Sequence, residues 1–169
     1  MQKETLTVVI PCYNCSKTLD RAIKSINYQT IIPDEIIVVD DHSDNGESIH
    51  NIIAKYNNVK LLRNKFNIGN GPSRNVGLYN CTSSVITFLD ADDECHISRL
   101  ESQLKYVNDY SVVTCGSINP VYHKVKSVDI LDLHIDTYKS TMRFMLFNRL
   151  TGAAIMARTS LLKSIGGYN

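Results

Sequence analysis

Short apolar runs alternate with amphipathic stretches from the first residues onward. Thr7 to Ile10 (T-V-V-I) is β-branched and almost wholly apolar, the pattern of a strand covered on both faces. Ser16 then offers a helix cap, and Leu19, Ala22, Ile23 and Ile26 fall at i, i+3, i+4 and i+7, one face of a helix. Pro33-Asp34 breaks that helix, and Ile36 to Val39 is a second apolar run, ended by Asp40-Asp41. Asp44 or Asn45 starts the next helix, on which Ile49, Ile52, Ile53 and Tyr56 share a face before a third strand from Val59 to Leu62. Pro72 suits the first turn of a helix reaching about Tyr79. Val85 to Leu89 (V-I-T-F-L) is a fourth strand, closed by Asp90-Ala91-Asp92-Asp93, and a helix carrying Ile97, Leu100, Leu104 and Val107 follows it.

Beyond Ser111 the periodicity fades. Val112 to Cys115 reads as a strand, Thr137 to Phe147 as a helix and Ala153 to Ala157 as a last strand. Strand–helix alternation of this kind predicts an α/β fold with a mostly parallel sheet and helices on both faces. No repeat, low-complexity stretch or Gly/Ser/Pro-rich linker divides the chain, so residues 1–169 read as one domain. At 169 residues and 43% hydrophobic, the chain is long enough for one sizeable core.

Charge narrows the function classes. Eighteen basic against seventeen acidic residues leave a net +1 with no basic stripe, which argues against a nucleic-acid footprint. No stretch approaches the ~20 apolar residues of a membrane span, and Met1-Gln2-Lys3-Glu4 opens no signal peptide. The expectation is a cytoplasmic protein, with room for peripheral association at the inner face of the membrane through parts beyond this sequence. The five cysteines (Cys12, Cys15, Cys81, Cys95, Cys115) are an odd set without an export signal, and reduced thiols are expected.

In open α/β sheets ligands bind outside the carboxyl ends of the strands, so the residues after each strand carry the candidate chemistry. Pro11, Tyr13 and Asn14 follow the first, and Asp40, Asp41 and Ser43 the second. Asn67-Ile68-Gly69-Asn70-Gly71-Pro72-Ser73-Arg74-Asn75 follows the third, and Asp90, Asp92 and Asp93 the fourth. Two carboxylates two residues apart at a strand end repel unless a hard divalent cation lies between them, and oxygen donors favour Mg2+ or Mn2+ over zinc. Taken alone, Asp90-x-Asp92 also fits an acidic surface turn. Asp41 can accept from a uracil imide or a ribose hydroxyl, although Asp40 and Asp41 also suit helix capping; Asp41 is assigned the site and Asp44 the structural role. Arg74 pairs either with a diphosphate or with a carboxylate of the site, and a surface ion pair explains it equally well. His42 and His96 read as exposed loop residues. The glycines of Asn67-x-Gly69-x-Gly71 do not form a dinucleotide-binding turn, because the first strand ends in P-C-Y-N.

V-V-I-P-C-Y-N, E-I-I-V-V-D-D-H-S-D-N, N-x-G-x-G-P-S-R-N-x-G and F-L-D-A-D-D resemble, in this order and spacing, the family-two glycosyltransferases of GT-A fold. A-A-I-M-A-R-T-S-L-L-K-S-I-G-G-Y-N looks like that family's strand and helix beside the acceptor site. The resemblance implies a Rossmann-like three-layer α/β/α sandwich and inverting transfer of a sugar from a nucleoside diphosphate, UDP in the first instance, to a hydroxyl of a saccharide or lipid-linked acceptor. It places Pro11, Tyr13 and Asn14 around base and ribose, Asp41 at the uracil and Arg74 near the diphosphate. Asp90 falls by the ribose and metal, and Asp92 on the Mn2+ or Mg2+ itself. Cell-surface polysaccharide synthesis is the implied setting. His42 stands where the family usually has glycine, and the family's acidic catalytic base falls beyond Asn169, so a fragment that binds nucleotide and transfers slowly or not at all is expected. The alternatives are a non-catalytic nucleotide-binding module of the same fold, or a nucleotidyltransferase, which would bring a basic Gly-rich loop after the first strand.

Overall fold

The computed structural model describes residues 4–44, 46–109, 112–115 and 152–168. In chain order the elements are β1 (Leu6–Cys12), α1 (Leu19–Asn27), β2 (Glu35–Asp40), α2 (Gly46–Ile53), β3 (Val59–Arg63), α3 (Asn70–Asn80), β4 (Val85–Phe88) and α4 (Arg99–Leu104). After them come β5 (Val112–Thr114), a 3₁₀ turn (Gly152–Ala154), β6 (Ile155–Arg158) and α5 (Thr159–Ser164). Among the described residues the strands form one six-stranded sheet in the order β3-β2-β1-β4-β6-β5. β1 pairs in parallel with both β2 and β4, while β6 runs antiparallel between β4 and β5. The sheet is thus mostly parallel, as the alternation predicts.

Burial on both faces explains the apolar runs. Val8, Ile10 and Cys12 of β1 and Ile36 and Val38 of β2 face one side, where Leu19, Ala22, Ile23 and Ile26 of α1, Ile49 of α2 and Leu100 of α4 cover them. Val9, Ile37, Val39, Ile86 and Phe88 face the other, under Leu78 of α3 and Leu162 of α5. The result is a three-layer α/β/α sandwich. α3 lies close to the sheet because Gly77 carries no side chain: a Cβ there would overlap Val9.

Several local expectations change. The N-cap of α1 is Thr18, not Ser16; the backbone N–H groups of Thr18 and Leu19 both donate to the Cys15 carbonyl, 3.0 Å away, so the helix starts two residues later. Ile97 is 55% exposed and precedes α4, whereas Leu100 and Val107 are buried as the pattern requires. Cys12 and Cys15 form a disulfide, contrary to the expectation of reduced thiols: the turn after β1 brings their Cα atoms to 5.9 Å, within bridging range. Cys81, Cys95 and Cys115 are free. The helix expected over Thr137 to Phe147 lies outside the described residues, as does Asn45. Among the described residues no helix is long and apolar enough to cross a membrane.

Candidate functional site

Chain order reverses at β1: β2 and β3 extend the sheet to one side, β4 and β6 to the other. At such a switch point the loops leaving neighbouring strands part and open a crevice. A cleft of about 440 Å³ lies there, lined by Pro11, Tyr13, Asn14, Asp41, Asp90 and Asp92 together with the disulfide cysteines, Thr18, Asn70, Ser73 and Ala91. Six of the seven candidate residues therefore share one cavity. The seventh, Arg74, sits behind it and donates through Nη2 to Asp90 Oδ1 at 2.5 Å.

Each wall has a local cause. Asn14 adopts a left-handed conformation (φ 53°), which asparagine tolerates better than most residues. It is locked reciprocally to the next loop: its Nδ2 donates to Asp44 Oδ2 at 2.9 Å, and the Asp44 backbone N–H donates to its Oδ1 at 3.0 Å. Asp44 thus pins the first loop to the second. The two residues of the Asp40-Asp41 pair have separate work. Asp40 is buried, pairs with Arg63 and accepts the Ser43 N–H at 2.9 Å, closing the turn after β2.

Asp41, 3% exposed, accepts from Asn64 Nδ2 at 2.8 Å, the Ile68 N–H at 2.9 Å and the Gly69 N–H at 2.8 Å. Burial raises its pKa, but the bonds from Ile68, Asn64, Gly69 and Ser73 outweigh that and hold the carboxyl below the usual range. These bonds also draw the 68–69 segment to the cleft, so that α3 begins at its edge. No side chain caps that helix start, and Asn70 and Ser73 face the cleft beside it. The sequence motif contained both residues, but their part became visible only with α3 in place.

The opposite wall is acidic. Burial first, then the charges of Asp92 and Asp90, push the Asp93 carboxyl above its usual range. Arg21 of α1 braces this loop, donating to the Asp92 carbonyl at 2.9 Å and pairing with Glu94 at 2.9 Å. Beneath it, Arg99 is 8% exposed and donates to the carbonyls of Phe88 and Ala153, each at 2.9 Å, fastening the end of β4 to the turn before β6. Neither arginine stands out in the sequence, because the partners that tie it to this loop and to the turn before β6 are backbone carbonyls and a distant glutamate. His42 and His96 are exposed, and their Nδ1 atoms meet the Asn64 carbonyl at 3.3 Å and Ser98 Oγ at 3.0 Å.

Among the described residues, no three His, Cys, Asp or Glu side chains gather into a cation cage. Asp90 and Asp92 are two hard oxygen donors with coordination positions to spare. That donor set fits Mg2+ or Mn2+, which keep waters and take substrate phosphates as further ligands.

Known proteins share this organisation. The sequence is 39% identical over 106 residues to the poly(ribitol-phosphate) beta-N-acetylglucosaminyltransferase TarP of Staphylococcus aureus, covering 60% of this chain and 32% of TarP. The structure superposes on the mannosyltransferase PcManGT of Pyrobaculum calidifontis, solved with GDP-Man and Mn2+, with a TM-score of 0.74 and 18% identity, over 100% of this chain and 48% of that one. It matches S. aureus TarS 1-349 in complex with UDP-GlcNAc at a TM-score of 0.70 and 22% identity, over 97% of this chain and 48% of that one. At those identities the two structures establish the GT-A fold. The chain spans less than half the length of the curated relatives it matches. Residues 7–162 match the model of glycosyl transferase family 2, which covers most of the sequence, and the chain belongs to that family.

Proposed function

We propose that this chain is the nucleotide-sugar-binding part, within a single domain, of a metal-dependent glycosyltransferase that inverts the transferred sugar, takes a UDP-linked donor and passes the sugar to a saccharide or lipid-linked hydroxyl in surface-polysaccharide synthesis. The observation that carries the reading is the sharing of one cleft by Asp41, Tyr13 and the Asp90/Asp92 wall. In this reading the base lies against the half-exposed Tyr13 ring, with Pro11 and Asn14 bordering the ribose and the Asp41 carboxylate facing the imide N–H as an acceptor. Asp92 and Asp90 hold Mn2+ or Mg2+, which when bound neutralises charge on the departing diphosphate. Arg74 orients Asp90, and the open start of α3 faces the phosphates. Cleft walls and loop locks fix the donor so that an acceptor oxygen can approach the anomeric carbon from the opposite face. TarP's named activity supports transfer of a sugar to a polymer acceptor, the UDP-GlcNAc held by TarS supports a UDP donor, and the Mn2+ of PcManGT supports the cation.

The test is a thermal-shift panel of UDP, UDP-sugars, GDP-mannose and nucleoside triphosphates, each with and without Mn2+. UDP compounds at a hundred times their Kd stabilise by about 2.7 kcal/mol, raising Tm by roughly 5–10 °C for a chain of this size, and more with Mn2+ than without. A shift confined to triphosphates would favour a nucleotidyltransferase instead.

A further inference from the structure

We infer that Tyr168 is a positioning residue of the cleft: fastened to α3, its ring fixes the Arg74 guanidinium and, through it, the Asp90 carboxylate. The inference rests on the reading of Asp90 as part of a metal–nucleotide site. The Arg74 guanidinium carbon lies 5.3 Å from the Tyr168 ring centroid, within cation–π range. Its Nη2 reaches Asp90 Oδ1 at 2.5 Å, while its buried Nε has no hydrogen-bond partner among the described residues. Among the described residues, the aromatic face and one carboxylate oxygen therefore bear on where this cation points.

The ring is itself held. Phe88, the last residue of β4, meets it edge-on with centroids 5.1 Å apart and planes at 82°. Asn75, next to Arg74 on α3, grips the Tyr168 backbone twice, its Nδ2 donating to the carbonyl and its Oδ1 accepting the N–H, both at 2.7 Å. Gly167 permits this approach, for a Cβ there would strike the Asn75 carboxamide, and its φ of 77° suits glycine. Ring and cation thus ride on one rigid unit, α3, and the carboxylate they orient belongs to the loop after β4. Partners that orient a ligating carboxylate act on metal affinity without touching the metal.

The measurement is calorimetric titration of Mn2+ into the chain with saturating UDP, for wild type, Tyr168→Leu, Tyr168→Phe, Arg74→Met and the Arg74→Met/Tyr168→Leu pair. Tyr168→Leu weakens Mn2+ binding about tenfold, Tyr168→Phe keeps wild-type affinity, and Tyr168→Leu adds no loss once Arg74 is Met. Wild-type affinity in Tyr168→Leu, equal loss in Tyr168→Phe, or an undiminished loss in the Arg74→Met background would overturn the inference. If Tyr168→Leu does not fold, Asn75→Ser loosens the backbone grip with the ring retained, and unchanged affinity there overturns it equally. A wild-type chain whose UDP complex takes up no Mn2+ would remove the metal reading first and leave Tyr168 nothing to position.

Discussion

Replacing Asp41 by alanine removes the acceptor around which one lip of the cleft is folded. Besides the Ser73 hydroxyl, three N–H donors converge on this carboxylate, from Asn64, Ile68 and Gly69, at 2.8 to 2.9 Å. Hydrogen bonds to a charged group contribute about 1.5–3 kcal/mol when buried. Because the donors are partly exposed, about 1 kcal/mol each is the appropriate figure, so Asp41→Ala should cost about 3 kcal/mol. For a chain of this length that lowers Tm by roughly 6–12 °C. Asp41→Asn keeps the size and one acceptor but turns an NH2 toward backbone donors, and should lose about half as much.

Acid sharpens the same prediction. The folded-state pKa of Asp41 is depressed, so its contribution is present above the unfolded value of about 3.9 and is lost as pH falls through the lower folded value. Wild type should therefore lose stability more steeply below about pH 4 than Asp41→Asn. Urea unfolding followed by circular dichroism from pH 7 to 2.5 measures both effects. An Asp41→Ala variant within ~0.5 kcal/mol of wild type, the range of an ordinary surface substitution, would refute the reasoning, as would parallel acid profiles.

Two further substitutions probe the frame that carries the site. Gly77→Ala forces a methyl into Val9 and should cost about 1–3 kcal/mol in urea unfolding, with Val9→Ala in the same chain recovering part of the loss. Arg99→Met strips the donors from the Phe88 and Ala153 carbonyls and should destabilise by about 3 kcal/mol, a loss that Arg99→Lys restores only partly because one ammonium cannot reproduce the planar fork.

The layers and most of the cleft were legible in the sequence for a simple reason. Strands buried on both faces must be continuous apolar runs, so Val8 to Ile10 and Ile36 to Val39 announced themselves, and the residues just after them had to stand at strand ends. What escaped was long-range. The insertion of antiparallel β6 between β4 and β5 leaves no periodic trace, since a strand's neighbours are not written in its own alternation. The Cys12–Cys15 bridge depended on the geometry of a turn that composition does not report. The grip of Asn75 on Tyr168 spans 93 residues, and Arg99 joins carbonyls 65 residues apart in sequence, Phe88 and Ala153. Asp44 meets Asn14 of the first loop, thirty residues away, a pairing that no local pattern announces.

The central claim is that the carboxylates after β4 and a divalent ion together hold the diphosphate of a nucleotide in the cleft. Titrating UDP into the chain with and without Mn2+, for wild type and Asp92→Ala, tests it most directly. The account predicts binding that Mn2+ strengthens at least about tenfold in wild type and hardly at all in Asp92→Ala, the loss expected when a metal ligand is removed from an oxygen-donor site. Equal Mn2+ enhancement in both proteins, or no UDP binding by either, would contradict it.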